Sequence, residues 1–464
     1  MADSSASSRN DPEMEGREFS LFLSDGNAII EGMNAVTYIK YLLRNRISYY
    51  SYKLKTNFNI MGAVSLLSFV LAMVGFFSDL LVVRNGSIVV AVIALLPVIL
   101  DLIKYLNNYA EKFTSIRRKK DYYDDVEFPG WEKITILNGS EKSQVFVRKQ
   151  ANEFLRSDRP IKYIEKNDYS KLLKKKIQKN WETYRHFLKR KYLDANYFGK
   201  LFFNESKYGM SREFDENSST VVLHKTCYFD SFLTNICPGS EVIFNKDNET
   251  VAKLDGELSC ITNNGQLKTV TDYLCANEPG GSTLLFDNHS IRLYEQSLLA
   301  QSSVSRIVPT GSGSVDYSDI RQSGRNGDFR DLITYSINRE LFEEAFNGRK
   351  CNYSDYVDTR VIGYYKWAEK AGKAEFIGIS RMHDDNVLLQ EKSKVELTGD
   401  EHYIKANTVE ILMESIKREL PDIENDVINA GNYSIPCVIA MRYLYEMCKE
   451  VDDKQIAPET ALFR

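Results

Sequence analysis

Three glutamates and one arginine in a short stretch give the clearest chemical signal in this sequence. They stand in the run Arg-Glu-Leu-Phe-Glu-Glu, from Arg339 to Glu344, within a predicted helix. Residues three and four apart on a helix lie about 5–6 Å from each other, so Glu340, Glu343 and Glu344 project from one face. Like charges so close repel unless a cation lies among them, and oxygen ligands suit Mg²⁺ or Mn²⁺. The spacing predicts a divalent-cation site, and the alternative is a solvated acidic face.

The same run resembles the signature of the Nudix family, which contains REUxEExGU, with U a bulky aliphatic residue, after an upstream Gly and Glu. The match is complete from Arg339 to Glu344. Elsewhere the sequence departs from the signature, because Arg325 stands at the first Gly, Asp331 at the upstream Glu, Phe346 at the final Gly and Asn347 at the last aliphatic position. The resemblance implies that Arg339 pairs with an acidic neighbour.

In this family the glutamates hold the metal. The resemblance therefore implies that Glu340, Glu343 and Glu344 are ligands of Mg²⁺ or Mn²⁺, with Glu340 and Glu343 as catalytic residues if the domain hydrolyses its ligand. Metal would then neutralise diphosphate charge and activate water.

A segment rich in Gly and Ser precedes this helix, from Pro309 to Asp319, and is predicted to be a loop. Its glycines Gly311 and Gly313 offer backbone N–H groups to phosphates, or the segment is simply a flexible linker. Arginines that follow would supply positive charge for a nucleotide: Arg321, Arg325 and Arg330.

Short β-rich runs and a few helical runs surround these residues. Alternation and turn residues predict strands at 220–224, 241–244, 250–254, 282–286, 359–365 and 374–380. Helical spacing predicts helices at 331–346, 407–418 and 435–451. The pattern is typical of an α+β sandwich, and the resemblance to the Nudix family implies a Nudix-like α/β/α sandwich at the C-terminal end.

Two long uncharged runs stand near the N-terminus, Thr56–Ser78 and Asn85–Leu100. The first is long enough to cross about 30 Å of hydrocarbon, and the second spans with its flanks. They predict a two-helix transmembrane hairpin over 56–106, and the alternative is a buried helical hairpin. Basic residues flank both runs, whereas the connecting loop has few, so both termini are predicted to be cytoplasmic.

Two further segments are predicted to be helical, the first amphipathic and the second basic. Residues 29–52 would lie along the membrane or pack on the cytosolic domain. Residues 144–191 carry many Lys and Arg, which predicts a solvated helix or a contact with anionic headgroups.

The chain has 464 residues, 43% of them hydrophobic and 27% charged, with a formal net charge of -4. This composition excludes collagen-like, fully disordered and disulfide-scaffold proteins, and the charge balance predicts no contact with long nucleic acid. The 7 cysteines lack CxxC spacing and fit a reducing compartment. We expect four parts: a cytoplasmic tail and amphipathic helix (1–55), the hairpin (56–106), a basic helical linker (107–210) and a Nudix-like sensor domain (211–464).

This order of parts resembles the two-transmembrane Nudix-like (SMODS-associated Nudix) effectors of CBASS, the bacterial antiphage systems in which a cyclase makes a cyclic oligonucleotide that activates an effector. The stretches His224–Ser231 and Tyr433–Cys437 are similar to that group. The resemblance implies an antiviral effector that binds a cyclic oligonucleotide and forms a homo-oligomer. It also implies that the effector lies in the bacterial inner membrane and disrupts this lipid bilayer, killing the infected cell. Two alternatives stay open: a tethered Mg²⁺-dependent hydrolase of nucleoside diphosphate derivatives, and an unrelated membrane-anchored binding module.

Overall fold

The computed structural model describes residues 35–56, 114–346, 351–383 and 397–463, apart from short gaps at 120, 199, 201, 218, 288, 297–302, 304 and 324–326. The strands are β1 (Thr114–Arg118), β2 (Glu132–Asn138), β3 (Glu141–Val147), β4 (Lys162–Glu165), β5 (Ser206–Met210), β6 (Thr220–Cys227), β7 (Ser240–Phe244), β8 (Thr250–Lys253), β9 (Gly280–Asp287), β10 (Ser290–Gln296), β11 (Ile307–Pro309), β12 (Gly311–Ser314), β13 (Val357–Trp367), β14 (Lys373–Met382), β15 (Leu397–Lys405) and β16 (Val427–Asn429). The α-helices are α1 (Ala35–Thr56), α2 (Lys149–Arg156), α3 (Asp168–Lys179), α4 (Trp181–Tyr197), α5 (Tyr228–Ser231), α6 (Val270–Tyr273), α7 (Asp319–Gln322), α8 (Phe329–Ala345), α9 (Val409–Glu419), α10 (Ile435–Glu450) and α11 (Pro458–Leu462).

A mixed, curled sheet lies at the centre of the described chain. Its strand order is β11-β10-β9-β14-β13-β3-β2-β16, with β12 also paired to β9 and β15 to β10. Most neighbouring strands are antiparallel, whereas the pairs β9–β14 and β2–β16 are parallel. Two smaller sheets, β1-β7-β8 and β4-β6-β5, flank it.

Helices cover both faces of the central sheet because alternate strand residues are apolar on each side. On one face, Ile416 of α9 and Leu444 of α10 pack in a core with Ile379 of β14. On the other face, Ile337 of α8 packs with Phe376 of β14. The helix that carries the glutamates therefore lies directly on the sheet.

A third core joins the N-terminal helices to the rest of the chain. Aromatic side chains dominate it, including Tyr52 of α1, Trp181 of α4 and Phe229 of α5. The Tyr52 hydroxyl donates to the buried Asp230 carboxylate at 2.6 Å. Helix α1 is thus docked on the same body that contains the central sheet.

The structure corrects the predicted fold class. None of the helices in the described part of the chain is long and apolar enough to cross a membrane. This finding contradicts the two-span architecture, the membrane-protein assignment and the inner-membrane location. The two predicted spans fall at 57–106, apart from Thr56 at the end of α1, and these residues lie outside the described residues.

The segment 107–210 also differs from the predicted basic helical linker. Its strands β2 and β3 belong to the central sheet, where β3 pairs with β13 and β2 with β16. Alternate residues such as Ile134 and Ile136 are buried in the sheet core, which stabilises strands rather than a solvated linker. The run 144–191, predicted to be helical, begins in β3 and contains β4.

Candidate functional site

Helix α8 carries the Arg339–Glu344 run and lies against β12. A Cβ atom at Gly311 would lie 2.6 Å from Leu341 Cα, and one at Gly313 would lie 1.9 Å from Glu340 Cδ. The two glycines therefore let helix and strand approach closely. Within the predicted loop 309–319, Gly311–Ser314 form strand β12, and Pro309 is the last residue of β11. Because helix α8 covers Gly311 and Gly313, they do not present an open phosphate cradle.

Arg339 is the centre of an ion-pair network between α8 and the segment that follows β12. Its side chain is 9% exposed, and its guanidinium contacts carboxylates of Asp319 at 3.0 Å, Glu340 at 2.9 Å and Glu343 at 3.1 Å. It also donates to the Ser314 carbonyl at 2.9 Å. One arginine thus holds the carboxylates of two of the three predicted metal ligands.

Lys207 of β5 is a second buried cation in this network. Its ammonium pairs with Asp316 and, at 3.2 Å, with Glu205, and its side chain is 7% exposed. Burial lowers the pKa of Lys207, but the charges of Asp316, Glu205 and Glu340 outweigh that effect, so the pKa is raised. Lys207 is therefore positively charged at neutral pH.

The two carboxylates nearest Arg339 differ in exposure. The side chain of Glu340 is 13% exposed and that of Glu343 is 49% exposed. Burial raises the pKa of Glu340 to about 8, although the charges of Arg339 and Lys207 act in the opposite direction. Burial also raises the pKa of Glu343. Glu340 is thus a carboxyl group that exchanges its proton near neutral pH.

The predicted metal site does not fit the placement of its three glutamates. Glu340 and Glu343 are paired with Arg339, while Glu344 accepts the Ser312 backbone N–H at 3.0 Å. Within the described ranges, no group of three or more His, Cys, Asp or Glu side chains is arranged to hold a metal ion. A divalent cation needs carboxylate oxygens that converge on one point, and these carboxylates are directed to protein partners.

The predicted arginines lie in different places. Arg330, in the first turn of α8, donates to the Ser157 and Arg159 carbonyls and pairs with Asp328. Arg325 lies outside the described residues. Arg321 of α7 is exposed, and its guanidinium lies 5.6 Å from the centroid of the Tyr317 ring.

Tyr317 and two cations form a surface group that we call the cationic patch: Tyr317, Lys225 and Arg321. The Lys225 ammonium lies 5.0 Å from the Tyr317 ring centroid, and the ring stacks on Tyr208 with centroids 5.2 Å apart. Hydrogen bonding to Lys225, assisted by Arg321, lowers the pKa of the Tyr317 hydroxyl. Lys225 also pairs with Glu165 at 3.2 Å. The patch therefore presents a phenol hydroxyl and two cationic groups together.

Sequence reasoning missed Lys207, Tyr317 and Lys225. Each comes from a different strand or loop, and their contacts depend on pairing between β5, β6 and the residues after β12. No local spacing indicates such a contact.

No model of a known protein family matches this chain, and no curated protein sequence matches it. Solved structures that it matches include the crystal structure of DR0079 from Deinococcus radiodurans, with 10% identity, a TM-score of 0.20, and coverage of 30% of this chain and 73% of that one. A likeness of this size carries no argument about fold or function.

Proposed function

We propose that this chain is a nucleotide receptor and that the cationic patch binds the phosphates of a cyclic oligonucleotide. The patch is the observation that carries this proposal. Charged donors bind phosphate oxygens about twice as strongly as neutral donors, and an aromatic ring beside them is a surface on which a base stacks. In this proposal Arg321 supplies positive charge to the phosphates, as predicted from the sequence. Lys225 supplies a second charge, and Tyr317 supplies the hydroxyl and the ring.

The placement of Glu340, Glu343 and Glu344 fits a receptor better than a hydrolase. Metal-assisted hydrolysis needs carboxylates that converge on a cation, whereas Arg339 and the Ser312 N–H engage the three glutamates. The Arg339–Glu344 run resembles the Nudix family, and the stretches His224–Ser231 and Tyr433–Cys437 resemble the Nudix-like effectors of antiphage systems. These resemblances favour a cyclic oligonucleotide as the ligand. A ligand that triggers self-association must bind the associated state more tightly than the single chain.

The second candidate is a Mg²⁺-dependent hydrolase of nucleoside diphosphate derivatives. It is favoured by Glu340, whose pKa is raised to about 8 by burial. A general base works best when its pKa lies near the working pH. In this alternative a divalent ion would have to displace Arg339 from Glu340 and Glu343.

The test is a titration of the full chain into a fluorescently labelled cyclic dinucleotide. Arg321→Ala removes one charged donor, and we expect about tenfold weaker binding, equal to about 1.4 kcal/mol. Tyr317→Leu should weaken binding similarly because it removes the hydroxyl and the ring. Arg418→Ala is the matched control, since Arg418 is 63% exposed on α9, and it should leave the affinity unchanged.

Chromatography of the ligand after incubation distinguishes the two candidates. A receptor returns the cyclic dinucleotide intact with or without Mg²⁺, and the labelled complex elutes as a larger species. Unchanged affinity in both patch variants would show that the patch is not the binding site. Turnover of a nucleoside diphosphate sugar with Mg²⁺, lost in Glu343→Gln, would establish the hydrolase instead.

A further inference from the structure

A cavity of about 440 Å³ lies where β9 and β14 end beside α11. Phe286 of β9 and Met382 of β14 line it, together with residues of α11. The cationic patch belongs to other elements, since Lys225 lies on β6 and Arg321 on α7. Protein sites for small molecules usually have volumes of about 300–1,000 Å³. The cavity is therefore large enough for a small ligand and is formed by different elements from the cationic patch.

Two basic side chains at the end of β14 line this cavity, Arg381 and His383. Both pair with Asp358 of β13, from Arg381 Nη2 at 2.8 Å and from His383 Nε2 at 2.9 Å. The other ring nitrogen of His383, Nδ1, lies 3.2 Å from the Asp355 carbonyl. Both ring nitrogens thus face acceptors, and only the imidazolium form donates from both. The hydrogen bond to Asp358 accordingly raises the pKa of His383.

Three polar groups of the lining are available to a ligand. Asp358 accepts from the Nε and Nη2 atoms of Arg381, and within the described ranges the Nη1 atom has no acceptor. The His289 ring, in the turn between β9 and β10, and the Thr460 hydroxyl also lack a partner in this part of the chain. A guanidinium, an imidazole and a hydroxyl can all donate to an oxyanion. The lining therefore suits a negatively charged oxygen group.

Glu459 of α11 is a carboxylate in the same lining. It takes part in an interaction of its own, and its negative charge would oppose a bound anion. Arg381 and His383 carry two positive charges against the single charge of Asp358 that they share, so these three groups together are net positive. Glu459 therefore allows a test with the opposite sign, because removing its charge should strengthen the binding of an anion.

We propose that this cavity binds the phosphate group of a small phosphate monoester. The Arg381 Nη1 atom, the His289 ring and the Thr460 hydroxyl would donate to the phosphate oxygens. His383 would add positive charge only, since both its ring nitrogens are already bonded. At about 440 Å³ the cavity is larger than a phosphate ion, so it has room for the ester group. This inference does not rest on nucleotide binding at the cationic patch.

The experiment is a calorimetric titration of the full chain at neutral pH with glycerol 3-phosphate, inorganic phosphate and glycerol. Glycerol 3-phosphate should bind, inorganic phosphate should bind more weakly because it leaves part of the cavity unfilled, and glycerol should not bind. Arg381→Gln should weaken the binding of glycerol 3-phosphate at least about tenfold, because it removes a charged donor. Arg418→Gln is the matched control, since Arg418 is an exposed arginine that pairs with Glu419 at 3.7 Å.

His289→Gly removes a second donor without straining the backbone. The φ angle of His289 is 63°, in the left-handed region that glycine adopts freely. This variant should weaken binding about threefold to tenfold and should not lower the thermal unfolding temperature. Asn248→Gly is the matched control, because Asn248 is an exposed residue with a φ angle of 58° between β7 and β8.

Glu459→Gln should bind glycerol 3-phosphate about threefold more tightly than the native chain. Weaker binding in this variant would show that the group bound beside Glu459 is not an anion, and the proposal would be wrong. It would also be wrong if the native chain bound no glycerol 3-phosphate, or bound inorganic phosphate equally tightly.

The two donor variants decide where the phosphate binds. Binding that survives in both Arg381→Gln and His289→Gly but is lost in Arg321→Ala would place the phosphate at the cationic patch and overturn the proposal. Because His289→Gly relieves a left-handed backbone, the test stands even if Arg381→Gln does not fold, which thermal unfolding would reveal.

Discussion

Among the single residues of the site, Glu340 has a carboxyl group whose pKa is changed by its surroundings. Its carboxyl is 13% exposed between Arg339, Lys207 and β12. Burial disfavours the charged form more than the two cations favour it, so the folded pKa of about 8 lies above the ordinary value of 4.5. The state of this one carboxyl therefore changes across neutral pH.

The raised pKa predicts that stability falls as the pH rises. Between about pH 4.5 and 8 the folded chain keeps the Glu340 proton that the unfolded chain has released, so the stabilising contribution is complete below this range and lost above it. Glu340→Gln imitates the protonated form, so its free energy of unfolding should fall less steeply with pH and exceed that of the native chain at about pH 8. Urea unfolding at three pH values measures this difference.

Glu343→Gln is the comparison for this prediction. Glu343 also has a raised pKa but is 49% exposed, so solvent weakens its electrostatic interactions. Its substitution should change the pH dependence less than Glu340→Gln does. Parallel pH profiles for the native chain and Glu340→Gln would show that Glu340 is ionised throughout this range.

Between elements, the contact of α8 with β12 decides where the glutamates stand. Gly311 and Gly313 remove the side chains that would separate strand from helix, and the Ser312 N–H then reaches Glu344 at 3.0 Å. The Asp328 side chain accepts the Arg330 N–H and starts the helix. The direction of the glutamates thus depends on a strand that precedes the helix in the chain.

Gly311→Ala should disrupt this contact. The added methyl would lie 2.6 Å from Leu341 Cα and 2.7 Å from Leu341 N, and backbone atoms cannot move away without shifting the helix. We expect a loss of about 1–3 kcal/mol in the free energy of unfolding, the usual cost of overpacking. Chemical denaturation measures it.

Ser314→Ala is the control, because it changes a side chain on the same strand and leaves the Ser314 carbonyl that accepts from Arg339. Ser314→Ala should change the free energy of unfolding by no more than about 0.5 kcal/mol. A Gly311→Ala chain as stable as the control would mean that α8 does not lie directly on β12.

Across the whole molecule, helix α1 is connected through Glu205 to the ion pairs of Lys207. Arg44 of α1 pairs with Glu205 at 3.2 Å, and Glu205 pairs with Lys207. Asn45 of the same helix makes two hydrogen bonds of 3.0 Å. Its side chain donates to the Lys200 carbonyl and accepts from the Phe202 N–H. Helix α1 is therefore docked beside the segment that leads into β5.

Asn45→Ala should weaken this docking. It removes two hydrogen bonds and leaves the buried Phe202 N–H without its acceptor, at a cost of about 1–3 kcal/mol. We expect faster amide hydrogen exchange in α1 than in the native chain, with exchange in α10 unchanged. Ile47→Ala is the control, since Ile47 is 69% exposed, and equal α1 exchange in both variants would contradict the docking role of Asn45.

Local sequence patterns were enough to locate several strands and helices of the C-terminal half. The predicted strands at 220–224, 282–286, 359–365 and 374–380 lie within β6, β9, β13 and β14, and the helix predicted at 331–346 is α8 at Phe329–Ala345. Spacing also placed Arg339, Glu340, Glu343 and Glu344 close together on one helix. Such patterns predict an element because helices and strands bury apolar residues at different sequence spacings.

Long-range pairing and packing decided everything about the site that the sequence did not reveal. Strand β2 pairs with β16 in the central sheet, and Gly311 packs against α8. Lys207 pairs with Asp316, and the Lys225 ammonium lies beside the Tyr317 ring. Period and composition report that a segment becomes buried, but they do not report which distant segment covers it. The partners of a charged side chain depend on that choice, so the same glutamates that predict a metal site by their spacing are paired with Arg339 and Ser312 in the folded chain.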